Sequence, residues 1–163
     1  QWALGADHTM PVEYEADGGT IHARYADGTK LTMRLGGFRG EGGWIVPGTC
    51  PVRFEGEDGW IETGDFGKIK SSADSLLEGK PENEMAGTDP MKHVRDFLDC
   101  VKSRGTPAAN QDVMRRSHIA CHAAAIAWKL GRKVRIDPAT ETFIDDDEAN
   151  RMRQWAKRAP WHA

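Results

Sequence analysis

Between residues 10 and 72, apolar and polar positions alternate with the period of a strand that has one buried face. The segments VEYEADGG and VRFEGEDGWIETGD alternate and then turn, and IHARYADGTKLTMRLGG carries an Asp27-Gly28 pair at the centre of a hairpin pattern. KIKSS predicts one more short strand. Since hairpin turns join neighbouring strands, the sequence predicts a largely antiparallel sheet.

After a polar connecting loop, the period becomes that of helices. Apolar residues recur at i, i+3, i+4 and i+7 from Val94 to Val101, between Pro90 near the first turn and Gly105 at the end. An alanine-rich helix is expected over Gln111–Leu130, and a final helix begins near Asp147. The predicted fold class is α+β: an open, mostly antiparallel sheet covered on one face by C-terminal helices.

Composition excludes several classes of protein. The 163 residues carry a net charge of −3, and the basic residues are interleaved with acids, unlike a nucleic-acid footprint. No apolar run approaches the roughly 18 residues of a membrane span. The cysteines Cys50, Cys100 and Cys121 are widely spaced and odd in number, which argues against a disulfide framework and a zinc–thiolate site. Three free thiols fit a reducing compartment and favour a cytoplasmic location, with an upstream export signal left open.

The glycine-rich stretch GGFRGEGGW, from Gly36 to Trp44, is the first candidate site, because glycine-rich loops can cradle phosphates. Gly40 and Gly42 have the spacing of a dinucleotide fingerprint, but the third glycine position holds Ile45. A hairpin precedes the stretch and a strand ended by proline follows it, so no helix N-terminus is offered to a phosphate. We interpret the stretch as a tight bend in the sheet.

Two further clusters are candidate metal sites. His118 and His122 share one face of a helix, but no third ligand or adjacent general base follows the zinc-protease pattern, so packing in the helix face is favoured over metal binding. The run Asp145 to Glu148 lacks the alternation of a calcium loop and is better explained as a helix N-terminus favoured by carboxylates. Trp44 and Trp60 could stack on sugars, but buried core tryptophans are commoner. No catalytic, cofactor-binding or metal-ligating residue is assigned.

The C-terminal third carries a more specific pattern, and QWALG and VRFEGEDGWIETG add weaker matches. The residues of this pattern are Phe97-Leu98-Asp99-Cys100, Leu130-Gly131-Arg132-Lys133, Asp137-Pro138, Glu141, Phe143, Asp145, Glu148-Ala149-Asn150 and Arg158-Ala159-Pro160-Trp161. At these positions the chain resembles the C-terminal part of the Gfo/Idh/MocA oxidoreductases, of the bacterial type related to sugar dehydrogenases. Ile136 stands where the family often has tryptophan.

The resemblance implies that residues 1–163 form a C-terminal substrate-binding and oligomerisation domain. A Rossmann domain that binds NAD or NADP, and the catalytic residues, would lie upstream of Gln1; QWALG is expected to be the last turn of a helix closed by Gly5. The implied partners are that domain, a second copy of the chain and a small carbohydrate-like substrate, with no nucleic acid and no membrane. The fragment alone is expected to bind no cofactor and to have no activity.

Two classes of function remain open at this point. In one, the parent transfers a hydride between nicotinamide and a hydroxyl carbon of a sugar or cyclitol, or uses the cofactor transiently in glycoside hydrolysis or epimerisation. In the other, the domain is a non-catalytic binding or scaffold module. The substrate and the choice of NAD or NADP cannot be read from these residues.

Two further expectations concern the C-terminal tail and the uncovered face of the sheet. Trp155 and Trp161 bracket the C-terminal tail, so the tail is expected to pack back onto the domain. The sheet is expected to leave one apolar face uncovered and to pair with another copy through it. The residues taken to form that face are Leu31, Met33, Leu35, Trp44, Ile45 and Trp60.

Overall fold

The structure is a computed structural model that describes residues 2–34, 52–64, 69–79 and 90–154. The strands are β1 (Glu13–Asp17), β2 (Thr20–Arg24), β3 (Lys30–Arg34), β4 (Val52–Gly56), β5 (Gly59–Thr63), β6 (Ile69–Ser71), β7 (Val134–Asp137) and β8 (Thr142–Phe143). The helices are α1 (Pro90–Ser103), α2 (Gln111–Leu130) and α3 (Asp147–Arg151), with short 3-10 turns at Trp2–Leu4 and Asp74–Leu76. Antiparallel sheets with helices confirm the predicted α+β class.

The chain divides into two compact units. The first unit combines Gln1–Gly36 with Ala109–Ala163, and the second is Gly37–Ala108. The first contains a five-stranded antiparallel sheet in the order β3-β2-β1-β7-β8, and the second a three-stranded antiparallel sheet in the order β4-β5-β6. Over the described residues, the strands predicted between residues 10 and 72 therefore fall in two sheets and not in the one sheet expected. The expectation differs from the described structure because hairpin patterns give the pairing of neighbouring strands but not which hairpins join the same sheet.

Strands β7 and β8 were not predicted, because the sequence after α1 was interpreted as entirely helical. The backbone N–H of Ile136 donates to Val12 O at 2.9 Å, and Tyr14 lies opposite Val134 in the register of β1 and β7. The segment is only four residues long, and its alternation of buried and exposed positions is too short to distinguish from a helix end. A strand from the C-terminal half thus lies beside the first strand of the chain.

The ends of α2 follow from its flanking residues, as predicted. The Asn110 side chain accepts hydrogen bonds from the backbone N–H groups of Asp112 and Val113, at 3.0 and 3.2 Å. Gly131 ends the helix in the left-handed region, with φ of 62°. Helix α3 begins at Asp147, also as predicted. No helix among the described residues has the length and apolar character needed to cross a bilayer.

The core of the first unit lies between α2 and one face of the five-stranded sheet. Small side chains on α2 allow the helix to approach β1 closely, and Tyr14 is the largest fully buried side chain beneath it. The core consists of Met10, Tyr14, Ala23, Ala123, Ala124, Ile126, Ala127, Val134, Ile136, Phe143 and Ala149. Met33 packs against it, so this face of the sheet is covered by a C-terminal helix as predicted.

The hydroxyl of Tyr14 is an exception within this apolar core. It is buried and has no hydrogen-bond partner among the described residues. Burial raises the pKa of Tyr14 well above its ordinary value, because an ionised phenolate would lose its hydration there. A buried hydroxyl without a partner opposes folding, while the aromatic ring favours it.

We expect Tyr14→Phe to leave the free energy of unfolding unchanged or to raise it by about 1 kcal/mol, because it removes only the unpartnered hydroxyl. Tyr14→Ala should lower the same free energy by about 3–5 kcal/mol, since it leaves a cavity beneath α2. Urea unfolding followed by circular dichroism measures both variants. A clear loss of stability in the phenylalanine variant would show that the hydroxyl has a stabilising partner.

Candidate functional site

The residues that carried the family resemblance lie mostly around the junction of α2, β7, β8 and α3, so their geometry decides whether they form a reactive site. Arg132 Nη1 and Nη2 donate to the two carboxylate oxygens of Asp146, at 2.5 and 2.9 Å. The same guanidinium reaches Glu148 Oε2 at 3.1 Å. The Asp146 carboxylate also accepts from the backbone N–H of Ala149 and caps α3. Arg132 therefore connects the end of α2 to the start of α3.

Asn150 joins α3 to β8 through both ends of its amide. Its Oδ1 accepts from the backbone N–H of Phe143 at 2.9 Å, and its Nδ2 donates to the carbonyl of Phe143 at 2.8 Å. Phe143 is buried in the core, and Ala149 is fully buried beside it. This reciprocal pair holds the short strand and the short helix in a fixed relative position.

The turn between β7 and β8 is built in the same way. Asp137 Oδ1 accepts from the backbone N–H of Ala139 and Oδ2 from the Thr140 hydroxyl, both at 2.9 Å. These hydrogen bonds lower the pKa of Asp137, with the Ala139 backbone bond making the largest contribution. Glu141 has a positive φ of 56° and pairs with Arg115 on α2 at 2.7 Å. The described motif residues in this region thus hold the backbone together through hydrogen bonds and ion pairs with neighbouring residues.

The face of the five-stranded sheet that α2 does not cover, the open face, is polar. Because side chains alternate along a strand, the residues between the core positions of β1, β2, β3 and β7 project from this face. The register places Arg135, Glu13, Arg24 and Lys30 in one row across the four strands. A second row contains Glu15, His22 and Thr32, and a third contains Asp17, Thr20 and Arg34. All of these side chains are exposed or half-buried.

Part of this polar face is fixed by an ion-pair cluster. Lys133 Nζ lies 3.0 Å from Glu13 Oε1 and 3.3 Å from Glu15 Oε2. The hydrogen bonds to Glu13 and then to Glu15 raise the pKa of Lys133, because both carboxylates favour the charged ammonium. The cluster holds the β1 carboxylates in place, while His22 and Thr32 continue the row at the usual cross-strand spacing of about 5 Å.

This finding corrects the expectation that the face left uncovered by α2 is apolar. Leu31 and Met33 share the Ala23 and Tyr14 side of the sheet, and Met33 packs against the core. They do not project from the open face, because their alternating positions fall on the same side as the core residues of β1 and β2. Trp60 belongs to the second sheet and is half-buried. Leu35, Trp44 and Ile45 lie outside the described residues.

The two histidines of α2 project from its exposed side. His118 Nδ1 lies 2.8 Å from the carbonyl of Met114, one turn earlier in the helix, and His122 and Cys121 are exposed nearby. They are therefore not packed within the protein as the sequence analysis favoured. Over the described part of the chain, no three His, Cys, Asp or Glu residues come together in a way that could hold a metal ion.

In the second unit, one face of the three-stranded sheet carries a buried cluster that the sequence analysis missed. Arg53 lies opposite Glu62 on neighbouring strands, with Nη2 3.5 Å from Oε2. The Arg53 guanidinium also lies 4.4 Å from the centroid of the Trp60 ring, a cation–π contact. Glu62 is fully buried, and its Oε1 has no hydrogen-bond partner among the described residues. Strand alternation placed Trp60 and Glu62 on one face, but it could not show that this charged face is the buried one.

Other candidates from the sequence lie outside the described residues. These are the glycine-rich stretch from Gly36 to Trp44, Cys50, and the tail containing Trp155 and Trp161. Their interpretations stay predictions.

Comparison with known families shows the family to which the chain belongs. A family model described as "Oxidoreductase family, C-terminal alpha/beta domain" matches residues 1–163, the whole chain. The chain belongs to the Gfo/Idh/MocA oxidoreductase family. A search of curated proteins and a search of solved structures each gave no significant match.

Membership of the Gfo/Idh/MocA family gives the C-terminal signature a physical meaning in this chain. Gly131 ends a helix, Arg132 joins two helices through its contact with Asp146, and Asn150 fixes a strand to a helix. In this Gfo/Idh/MocA domain, the described signature residues therefore stabilise the fold.

The Arg132–Asp146 contact should make the free energy of unfolding of the domain depend on pH in the acidic range. The guanidinium, followed by the Ala149 backbone N–H, lowers the pKa of Asp146 to about 2 from an ordinary value of 3.8. A carboxyl whose folded pKa is lowered stabilises the fold above its unfolded pKa, and this stabilisation disappears as the pH falls through the folded value. We therefore expect Asp146 to contribute fully above about pH 4 and progressively less toward pH 2.

Urea unfolding of the wild type and Asp146→Asn between pH 5 and pH 2 measures this dependence. The wild type should lose more stability over this range than the variant, which has no charge at position 146 to protonate. Asp147→Asn, at the exposed neighbouring position, is the matched control and should follow the wild type. Parallel curves for the wild type and Asp146→Asn would contradict the assignment.

Proposed function

We propose that this chain is the C-terminal domain, over residues 1–163, of an NAD(P)-dependent oxidoreductase. The reaction is hydride transfer between nicotinamide and a hydroxyl-bearing carbon of a sugar or cyclitol. The observation that carries this proposal is the family match over the whole chain. In this division of labour, an upstream Rossmann domain binds the cofactor, and the present domain contacts the substrate and associates with another copy.

The N-termini of helices α2 and α3 do not suit a nicotinamide dinucleotide. Asn110 already accepts from the first free N–H groups of α2, and Asp112 adds a negative charge there. Helix α3 is five residues long and begins with Asp147 and Glu148, next to the Asp146 cap. A pyrophosphate is favoured by free backbone N–H groups and is repelled by carboxylates. These residues do not fit the cofactor, so no step through it is derived from this chain.

The polar open face supports the substrate-side part of the proposal. A polyol presents adjacent hydroxyl groups, each of which both donates and accepts hydrogen bonds. The row of Glu15, His22 and Thr32 offers a carboxylate, an imidazole and a hydroxyl side by side on three paired strands. Strands hold such groups more firmly than loops do, which favours specific recognition. We place the substrate contacts of the domain on this row, with Glu15 oriented by Lys133.

The experiment is a nicotinamide absorbance assay on the full-length parent with a panel of sugars and cyclitols. At least one polyol should give substrate-dependent reduction of NAD or NADP, and the 163-residue chain alone should give none. His22→Ala should raise KM about three- to tenfold, the effect of losing one hydrogen bond to the substrate. His8→Ala is the matched control at an exposed histidine outside the sheet and should leave KM unchanged.

Each alternative gives a different result in this assay. Binding of a polyol without any change in absorbance would favour the non-catalytic binding or scaffold function. Cofactor-dependent hydrolysis or epimerisation without net reduction would identify a transient use of nicotinamide. If the parent is active and His22→Ala leaves KM unchanged, the open face does not contact the substrate.

A further inference from the structure

The exposed side of α2 carries two histidines one helical turn apart. His118 and His122 are four positions apart, a spacing that places the Cβ atoms of two helical residues about 5–6 Å from each other. Both side chains are exposed, so neither imidazole is packed in the core. Two histidines at this spacing on one helix face can hold a metal ion between them.

The hydrogen bond of His118 gives its ring the tautomer that a metal ligand requires. The Nδ1–H group donates to the backbone carbonyl of Met114 at 2.8 Å. Because a carbonyl oxygen only accepts, Nδ1 carries the proton of the neutral ring and Nε2 carries the lone pair. Metal-ligating histidines commonly donate their other N–H to a backbone carbonyl in this way, which fixes the orientation of the ring. His118 therefore keeps Nε2 as its ligand atom.

The backbone that carries the two histidines is held by the core on the other side of the helix. Ile119 packs against the core and Ala123 is buried within it, and each directly follows one of the histidines. Both turns lie inside a helix whose ends are fixed by Asn110 and Gly131. A pair of ligands on such a fixed element loses little conformational freedom when it binds an ion.

The neighbouring side chains define what the pair can bind. Arg115, one turn before His118, pairs with Glu141 at 2.7 Å, so its positive charge is compensated and does not repel a cation. The thiol of Cys121 is exposed next to His122. Among the described residues, however, no three His, Cys, Asp or Glu groups meet at one point. The two imidazoles are therefore the ligands that this surface offers.

The chemistry of imidazole selects the class of ion. Imidazole nitrogen suits Cu²⁺, Ni²⁺ and Zn²⁺, whereas Mg²⁺ and Ca²⁺ take oxygen ligands. A surface chelate with two nitrogen ligands leaves the other coordination positions to water. Such a site imposes no geometry of its own, so its affinities follow the intrinsic order, in which Cu²⁺ binds more tightly than Ni²⁺ or Zn²⁺.

We propose that His118 and His122 chelate one divalent late first-row transition-metal ion on the outer side of α2. The ion joins two turns of the helix that the core already holds in place. Since it binds the folded helix and not the unfolded chain, it also raises the stability of the fold. This site is independent of the dehydrogenase function proposed above.

Calorimetric titration of the 163-residue chain with nickel chloride tests the proposal, because Ni²⁺ binds imidazole and does not oxidise thiols. The expected result is saturable binding of one ion per chain, reversed by EDTA, and no binding of Mg²⁺. His118→Ala and His122→Ala should each raise the dissociation constant about a hundredfold, because each variant converts a chelate into a single ligand. His93→Ala, at an exposed histidine of α1, is the control and should leave it unchanged.

Exchange of two neighbouring residues gives a control of identical composition. The double variant Ser117→His/His118→Ser sets the histidines five positions apart, about 140° around the helix, where they cannot share an ion. It should lose Ni²⁺ binding as His118→Ala does. The melting temperature of the wild type should rise with Ni²⁺, while that of the exchanged variant should not. Circular dichroism without the ion confirms that each variant keeps its fold.

Three results would overturn the proposal. The first is the absence of saturable Ni²⁺ binding, or binding that survives the exchange of Ser117 and His118. The second is binding that is lost in Cys121→Ser but kept in both alanine variants, which would assign the ion to the thiol. The third is a ratio of half an ion per chain, which would show that histidines of two chains share the ion.

Discussion

The first unit depends on the pairing of β7 with β1, two strands that meet across a sequence separation of 120 residues. This pairing brings the chain back after α2 and fixes the helix over the sheet, so that its alanines contact Tyr14 and its neighbours. Without this pairing, β1 would be an unpaired edge of the sheet. Helix α2 would then be connected to the sheet at only one of its ends. The structure that follows β7 is built onto this pairing. It consists of β8, the Asp146 cap of α3 and the hydrogen bonds of Arg132.

The same constraint explains why the described residues in the most specific part of the sequence form hydrogen bonds with the backbone. A junction of two short strands and a five-residue helix has little apolar surface of its own, so it requires side-chain hydrogen bonds to stay formed. Asp137, Asp146 and Asn150 provide them through backbone N–H groups. The substrate contacts that we propose lie instead on a strand face, in the row of Glu15, His22 and Thr32.

Sequence reasoning identified the described elements that rest on local rules. Alternation predicted β1 to β6, Asp27-Gly28 predicted a hairpin turn, and Asn110 and Gly131 predicted the ends of α2. Gly28 and Gly59 have positive φ, as tight hairpin turns require, and a Cβ at Gly59 would collide with the Ser72 hydroxyl. These features are determined by neighbouring residues, and such rules are readable without a structure.

The features that sequence reasoning missed depend on contacts between distant residues. Alternation shows that Arg53 and Glu62 share a face, but only packing shows that this face is buried while Phe54 is exposed. The apolar spacing of α1 predicts a helix that buries one side, yet none of its residues is buried. The row of Glu15, His22 and Thr32 was hidden in the polar half of the alternation, because its members come together only through strand register.

The β1–β7 pairing closes the first unit, because it joins the C-terminal half of the chain to the first strand. Native-state hydrogen exchange of the Ile136 amide, which donates to Val12, tests it most directly. We expect this amide to exchange only through global unfolding of its unit, with the same free energy as the core amides of α2 such as Ala127. Exchange of Ile136 at the free energy of a local opening, while Ala127 remains protected, would show that β7 is an attached edge and would contradict the account.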